Sequence, residues 1–331
     1  MTARSPSKTD STPIRVGVIG VGAMGENHAR VYSELSHVEL VAVTDLDAAS
    51  AQATATQFET EAVPLEKALE RCDVVSVAVP TPAHFETVSA CLEAGVHVLV
   101  EKPIAKSIDE AETLARIARE RELVLQVGHI ERFNPAVQGV LDLVEDLEVI
   151  AVDAKRLGPP VERSGLDGVT YDLMVHDIDV LNAILEGTPE PLTAASAADG
   201  QYASATIAYG DVVASLTASR VTQKKIRKLT VTARECLVEV DYLEQSILIH
   251  RDSYPAYVTD NGQNRYRHES VIERPRIDNG EPLRHELESF LEAVRNGTEP
   301  QVTAEDGIRA VETIQQLDRL AEQTPTEGPT Q

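Results

Sequence analysis

A chain of 331 residues exceeds one ordinary domain, and a 42% hydrophobic content without any apolar run near the roughly 20 residues of a membrane helix describes a two-domain globular protein with no membrane partner. A formal charge of -24, from 54 acids spread over helices and loops against 30 bases, argues against nucleic acid as a partner, because phosphate binding needs clustered cations. Such a surface repels itself in dilute buffer and is screened in salt, so a salt-adapted cytoplasm is expected, and the opening residues carry no apolar signal-peptide core.

Residues 1–12 and 323–331 are polar and proline-broken, which predicts disordered tails. Residues 14–19 read as a buried strand. Gly20, Gly22 and Gly25 follow at once as G-x-G-x-x-G, and an amphipathic helix runs through His28, Val31, Tyr32 and Leu35. Glycines that close a strand and open a helix let the backbone approach a pyrophosphate, whose charge the helix N-terminus stabilises. With Ala23 and Met24 they are the predicted phosphate side of a dinucleotide site. The next strand, 38–44, ends in Asp45, where a carboxylate accepts hydrogen bonds from the adenosine ribose and repels a 2′-phosphate, so NAD is favoured over NADP. Asp45 also reads as a turn residue or helix cap, and Asp47 competes for the same role.

A helix after Asp47, a short strand near Ala62 and Val63, and a helix over 65–71 come next. The apolar strand 73–79 closes on Pro80-Thr81-Pro82, and His84 starts a helix that runs to Glu93 and is capped by Gly95. Thr81 and His84 either border the nicotinamide half of the cofactor or form a plain strand–helix turn. Residues 97–103, His-Val-Leu-Val-Glu-Lys-Pro, then deliver Lys102 from a buried strand to the sheet edge where open α/β proteins bind ligands, with Glu101 beside it on the cofactor side. A cis bond before Pro103 would fix the angle at which Lys102 leaves the strand. A helix over 107–120, capped by Ser107 or Asp109, and a strand over 123–127 complete a doubly wound parallel sheet; this domain spans 13–128. Cys72, Cys91 and Cys236 lie outside any CxxC and read as buried hydrophobes, with no metal site.

Beyond Gly128 the rhythm changes. Residues 147–157 alternate as a strand, 172–186 form a helix, 192–250 hold several period-two runs, and two helices cover 282–296 and 303–322. The second domain, 129–322, is therefore α+β, built on an antiparallel or mixed sheet with one face covered by helices. Asp172 and His176 lie four apart on its first long helix, a carboxylate and an imidazole suited to proton transfer near neutral pH.

Gly20-x-Gly22-x-x-Gly25, Glu101-Lys102-Pro103, Asp172-x-x-x-His176 and the closing Glu305-Asp306-Gly307 together resemble the glucose-fructose oxidoreductase / inositol dehydrogenase / MocA family over roughly residues 14–320. The resemblance implies an N-terminal nicotinamide domain, a C-terminal domain whose open sheet face serves oligomerisation as a homodimer or homotetramer, and oxidation of a sugar or cyclitol hydroxyl. Residues 129–135, 156–160, Arg163 and Gly168-Val169 further resemble the branch that oxidises the 3-hydroxyl of UDP-N-acetylglucosamine and works with a pathway aminotransferase. Arg132, Arg156 and Arg163 suit a diphosphate and Asn134 a sugar hydroxyl or amide; alternatively the arginines neutralise neighbours such as Glu131 and Glu162. Lys102 and His176 then share the roles of alkoxide stabiliser and general base in either order, with Asp172 orienting the site or the sugar. A free-sugar or inositol dehydrogenase, a tightly held NAD recycled in place, and a non-catalytic dinucleotide sensor are the rival readings.

Overall fold

The computed structural model describes residues 13–160, 168–252, 256–260, 263–267 and 270–323. The first unit opens with β1 (Ile14–Ile19), α1 (Ala23–Glu34), β2 (Val38–Thr44), α2 (Ala48–Gln57), α3 (Leu65–Leu69), β3 (Val74–Val77), α4 (His84–Glu93), β4 (His97–Glu101), α5 (Ile108–Glu120) and β5 (Leu125–Gly128). The strands form one parallel sheet in the order β2-β1-β3-β4-β5. Val16, Val18, Val74, Val75, Val77, Val98, Leu99 and Val100 are all buried, because a parallel sheet flanked by crossover helices meets water on neither face. The strand expected near Ala62 is reduced to an isolated bridge, Ala62 to Val43, on the outer side of β2. Counted as a strand it completes the order 3-2-1-4-5-6 of a dinucleotide-binding fold. The strand order reverses between β1 and β3, β2 lying to one side of β1 and β3 to the other, and this puts a ligand crevice at their C-terminal ends.

The second unit begins at His129. It contains α6 (Pro135–Val144), β6 (Val149–Leu157), a π turn over Thr170–Met174 that runs into α7 (Val175–Ile184), and then β7 (Glu190–Ala197), β8 (Tyr202–Tyr209), β9 (Val212–Ser219), β10 (Ile226–Ala233), β11 (Leu237–Asp241), β12 (Ser246–Asp252), β13 (Ala256–Asp260), β14 (Gln263–Arg267) and β15 (Ser270–Glu273). Eight strands make a mixed sheet in the order β15-β12-β11-β10-β6-β9-β8-β7, antiparallel except where β6 pairs with β9. Strict alternation in β8, with Ala203, Ala205, Ile207 and Tyr209 buried, marks one face turned to a core that also takes Val175, Ile178 and Leu181 from α7.

The sequence assigns 129–322 to one domain, but α8 (Pro282–Asn296) and the start of α9 (Ala304–Gln323) pack with the first unit, whose described residues are 13–128 and 283–308. The reason is local. Gly307 lies so close to β5 that a Cβ there would stand 2.9 Å from Val127 Cγ2, Val127 N donates to Val302 O at 3.2 Å, and Arg119 on α5 pairs with Glu305 at 2.7 Å. Thr303 and Asp306 exchange hydrogen bonds as a capping pair that starts α9. The Glu305-Asp306-Gly307 motif therefore has a packing account of its own. Among the described residues no helix is long and apolar enough to cross a membrane.

Candidate active site

In the first unit, the three glycines do different work. Gly20 has φ +85° and a Cβ there would meet the Ala78 backbone at 2.7 Å, while a Cβ on Gly25 would stand 1.8 Å from Gly20 O. Both positions are fixed by the protein itself. A Cβ on Gly22 meets nothing within 4 Å, so no protein contact requires glycine there and the position has room for an approaching ligand. No side chain caps the α1 N-terminus, which leaves its first amides to an anion, with Ala23 exposed and Met24 half-buried beside them. Asp45 accepts from Val21 N at 2.7 Å and from Asp47 N at 2.8 Å, and Asp47 is the N-cap of α2, accepting from Ala49 N at 3.0 Å. Two carboxylates thus follow the C-terminal end of β2. Leu46 between them is fully exposed, an apolar platform that sequence reading passed over although an apolar residue between two strand-end aspartates was its signal. These features fit a nicotinamide dinucleotide: amides for its pyrophosphate, Asp45 for its ribose.

At the end of β4 the Lys102–Pro103 bond is cis. Glu101 is buried and accepts from His28 Nε2 at 3.0 Å, a bond that reaches from α1 to β4. Burial pushes the Glu101 carboxyl up, but the His28 hydrogen bond and the charges of His28 and Lys102 together hold it below the usual glutamate range. A buried anion therefore sits directly behind Lys102. His84, 1% exposed and expected either to border the nicotinamide or to sit in a plain strand–helix turn, bonds Pro103 O through Nδ1 at 2.8 Å and Val79 O through Nε2 at 2.9 Å, so both ring nitrogens are taken within the protein. It ties the exit of β3 to the turn after Lys102. Thr81 opens the 3-10 turn Thr81–Ala83 between them and is half-buried.

In the second unit the helix expected over 172–186 starts as a π turn, and Asp172 lies in that turn while His176 lies in the first turn of α7. The Asp172 carboxylate receives the Arg220 guanidinium. His176 is half-buried. Three residues expected to bind substrate have partners within the protein. Arg156, 3% exposed, donates to Asp177 at 2.9 and 2.8 Å and to Glu131 at 2.7 Å, with its guanidinium carbon 5.5 Å from the Tyr242 ring centre. Burial opposes its charge, yet Asp177 and Glu131 hold it well above the ordinary arginine range. Arg132 contacts Asp179 at 3.4 Å, and the side chain of Asn134 caps α6 by accepting from Ala136 N at 3.1 Å while donating to Tyr242 O at 3.1 Å. These contacts accord with the neutralising alternative, since Asp177 and Asp179 are buried carboxylates beside the two guanidinium groups. Arg163 falls outside the described residues. Among the described residues no group of three or more His, Cys, Asp or Glu could hold a metal.

Residues 14–129 match the model of the oxidoreductase family with an NAD-binding Rossmann fold. The UDP-N-acetylglucosamine 3-dehydrogenase of Acidithiobacillus ferrooxidans is 34% identical over 289 residues, which is 85% of this chain and 88% of that protein. Its solved structure aligns with a TM-score of 0.85 at 30% identity over 94% of this chain and 98% of that one. The inositol 2-dehydrogenase of Rhizobium meliloti is 25% identical over 317 residues, 90% of this chain and 94% of its own. A 3-ketoreductase from Actinomadura kijaniata, solved in complex with TDP-benzene and NADP, shares the fold with a TM-score of 0.78 at 22% identity over 93% of this chain and 98% of its own. With its dinucleotide fold, its Glu101-Lys102-Pro103 turn and its likeness over 85% of its length to a sugar-nucleotide dehydrogenase, the chain belongs to the Gfo/Idh/MocA oxidoreductase family.

Proposed function

We propose that this protein oxidises the 3-hydroxyl of UDP-N-acetylglucosamine to the 3-oxo sugar with NAD as acceptor. The observation that carries the reading is the 34% identity to a UDP-N-acetylglucosamine 3-dehydrogenase across 85% of the chain. Asp45 and Asp47 support NAD over NADP, because two carboxylates at the ribose end disfavour a 2′-phosphate. Bound NAD would supply the acceptor for the hydride from C3. Gly22 and the α1 amides hold the pyrophosphate, Asp45 the ribose, and Leu46 offers its face to the adenine. His176 accepts the hydroxyl proton, Lys102 stabilises the oxygen as it gains charge, and Asp172 positions the sugar; the two basic groups are interchangeable in this scheme. The enzyme acts in the cytoplasm as a homodimer or homotetramer and hands its 3-oxo product to an aminotransferase.

The test is NADH formation by the purified chain in molar KCl with UDP-N-acetylglucosamine, UDP-glucose, glucose or myo-inositol. Turnover of the acetylated nucleotide sugar, well above the other three, is the expected result. Turnover of inositol alone would favour the second reading, a cyclitol dehydrogenase, which the likeness to inositol 2-dehydrogenase over 317 residues supports. Silence with all four overturns both.

A further inference from the structure

Of the arginines that suited a diphosphate on sequence grounds, Arg156 pairs with Asp177 and Glu131 and Arg132 with Asp179, while Arg163 lies outside the described residues. Other cations are gathered nearby. No Asp or Glu occurs between Asp211 and Glu235, the longest acid-free run in a protein with 54 acids, and Arg220, Lys224, Lys225, Arg227 and Lys228 fall inside it. Three of the 8 lysines in the chain are therefore within five residues of one another.

The second unit brings this run to the end of its sheet that carries Asp172. β6 lies between β9 and β10, with Leu157 opposite Ser219 on one side and Ile226 on the other, so residues 220–225 cross over the end of β6. The crossing is tied down: Gly158 N donates to Ser219 O at 2.9 Å, and Thr222 N and Oγ1 both donate to Gly158 O at 3.0 Å. Arg220 reaches Asp172 in the π turn, and Arg156, one residue before the end of β6, holds Asp177, the neighbour of His176. Arg227 is anchored by Nη1 to the carbonyls of Leu157 and Ile226 at 2.8 and 3.0 Å, and burial together with the Arg156 charge keeps its guanidinium below the usual range. Lys228 pairs weakly with Asp241 at 3.7 Å. Lys224 and Lys225 at the crossing are exposed and make no ion pair among the described residues.

We propose that the 220–228 connection is the diphosphate clamp for a nucleoside-diphosphate sugar, with Lys224 and Lys225 meeting the phosphates and Arg227 backing them. The proposal rests on the function proposed above and adds the site of the charged half of its substrate. In such a sugar the reacting C3 and the anomeric carbon bearing the diphosphate belong to one ring. A sugar whose C3 hydroxyl meets His176 therefore carries its phosphates to the same end of the sheet. Free glucose or inositol, without charge, gains nothing from these lysines, so the clamp also sets specificity. A flexible ammonium pair suits a diphosphate whose oxygens turn as the sugar seats, where a planar guanidinium would fix one geometry.

The experiment compares the wild type with Lys224→Gln/Lys225→Gln in 0.1 M KCl, measuring KM for UDP-N-acetylglucosamine, inhibition by UDP and by uridine, and KM for NAD. The expected result is a rise of about tenfold or more in both the nucleotide-sugar KM and the UDP inhibition constant. The uridine constant, the NAD KM and the melting temperature stay unchanged, and Lys67→Gln, which removes one exposed lysine elsewhere, moves none of them. If the wild type oxidises UDP-N-acetylglucosamine and the double variant keeps its KM and UDP inhibition, the clamp is wrong and the function stands. If the wild type oxidises only uncharged sugars and UDP does not inhibit, the functional reading fails and the clamp with it.

Discussion

Gly22 and Gly25 lie three residues apart and answer to different masters. Helix propensity alone favours alanine over glycine by about 1 kcal/mol inside α1, but a Cβ on Gly25 at 1.8 Å from Gly20 O cannot be housed without moving the β1–α1 turn. Gly25→Ala should therefore lower stability by about 1–3 kcal/mol or more, read as a drop in the urea midpoint. Gly22→Ala meets no protein atom within 4 Å, so its melting curve should overlay the wild type while NAD affinity, read by NADH fluorescence, falls by about tenfold, or ~1.4 kcal/mol. Equal loss of stability in both variants would remove Gly22 from the ligand site. Lys102 gives the complementary case. Lys102→Met should lower kcat by roughly 10²- to 10⁴-fold, the range for a positioned acid–base or charge-stabilising group, with NADH binding kept. Normal turnover would show that the buried Glu101 charge behind it serves the fold alone.

At the scale of elements, whatever depends on neighbours in sequence was legible and whatever depends on partners in space was not. Ser107, one of the two caps expected for α5, starts it in a capping box with Glu110, and Gly95 ends the α4 turn at φ +80°, because each signal is complete within four residues. The apolar spacing of 172–186 shows a helix but not its π start, since one added residue in the first turn leaves the buried Ile178 and Leu181 where they were. The helix over 282–296 was legible and its unit was not, because Gly307 against Val127 is a contact between residues far apart in the chain. Residue type likewise showed that Arg156 wanted an anion without showing that Asp177, 21 residues on, would supply it ahead of any substrate. That pair makes a sharp prediction. Arg156→Met leaves Asp177 buried at 2% exposure with an uncompensated charge and should cost about 3–5 kcal/mol, whereas Arg156→Met/Asp177→Leu should recover most of the loss in urea unfolding. A double variant no more stable than the single one would mean that the pair stabilises the fold in net terms.

For the molecule as a whole the decisive quantity is charge. Were every one of the 30 bases paired, 24 acids would remain, so mutual repulsion of carboxylates outweighs attraction. Exposed pairs such as Lys67–Glu70 and Arg116–Glu120 pull the other way, yet each contributes only about 0–1 kcal/mol and loses it in salt. Repulsion acts over many pairs at distances that a Debye length of about 10 Å at 0.1 M leaves unscreened and one of about 3 Å at 1 M removes. Stability should therefore rise between 0.1 and 1 M KCl, by roughly 2–4 °C in melting temperature for each kcal/mol of repulsion relieved. Screening requires KCl and NaCl to act alike at equal concentration, while sulfate adds a further increment through exclusion from the surface. A midpoint that falls or stays flat over this range would sink the salt-adapted reading. The same screening weakens attraction between Lys224, Lys225 and a diphosphate, so the nucleotide-sugar KM should climb over the range in which the fold gains stability. Two opposed slopes, one thermal and one kinetic, would separate the acidic surface from the basic crossing that interrupts it.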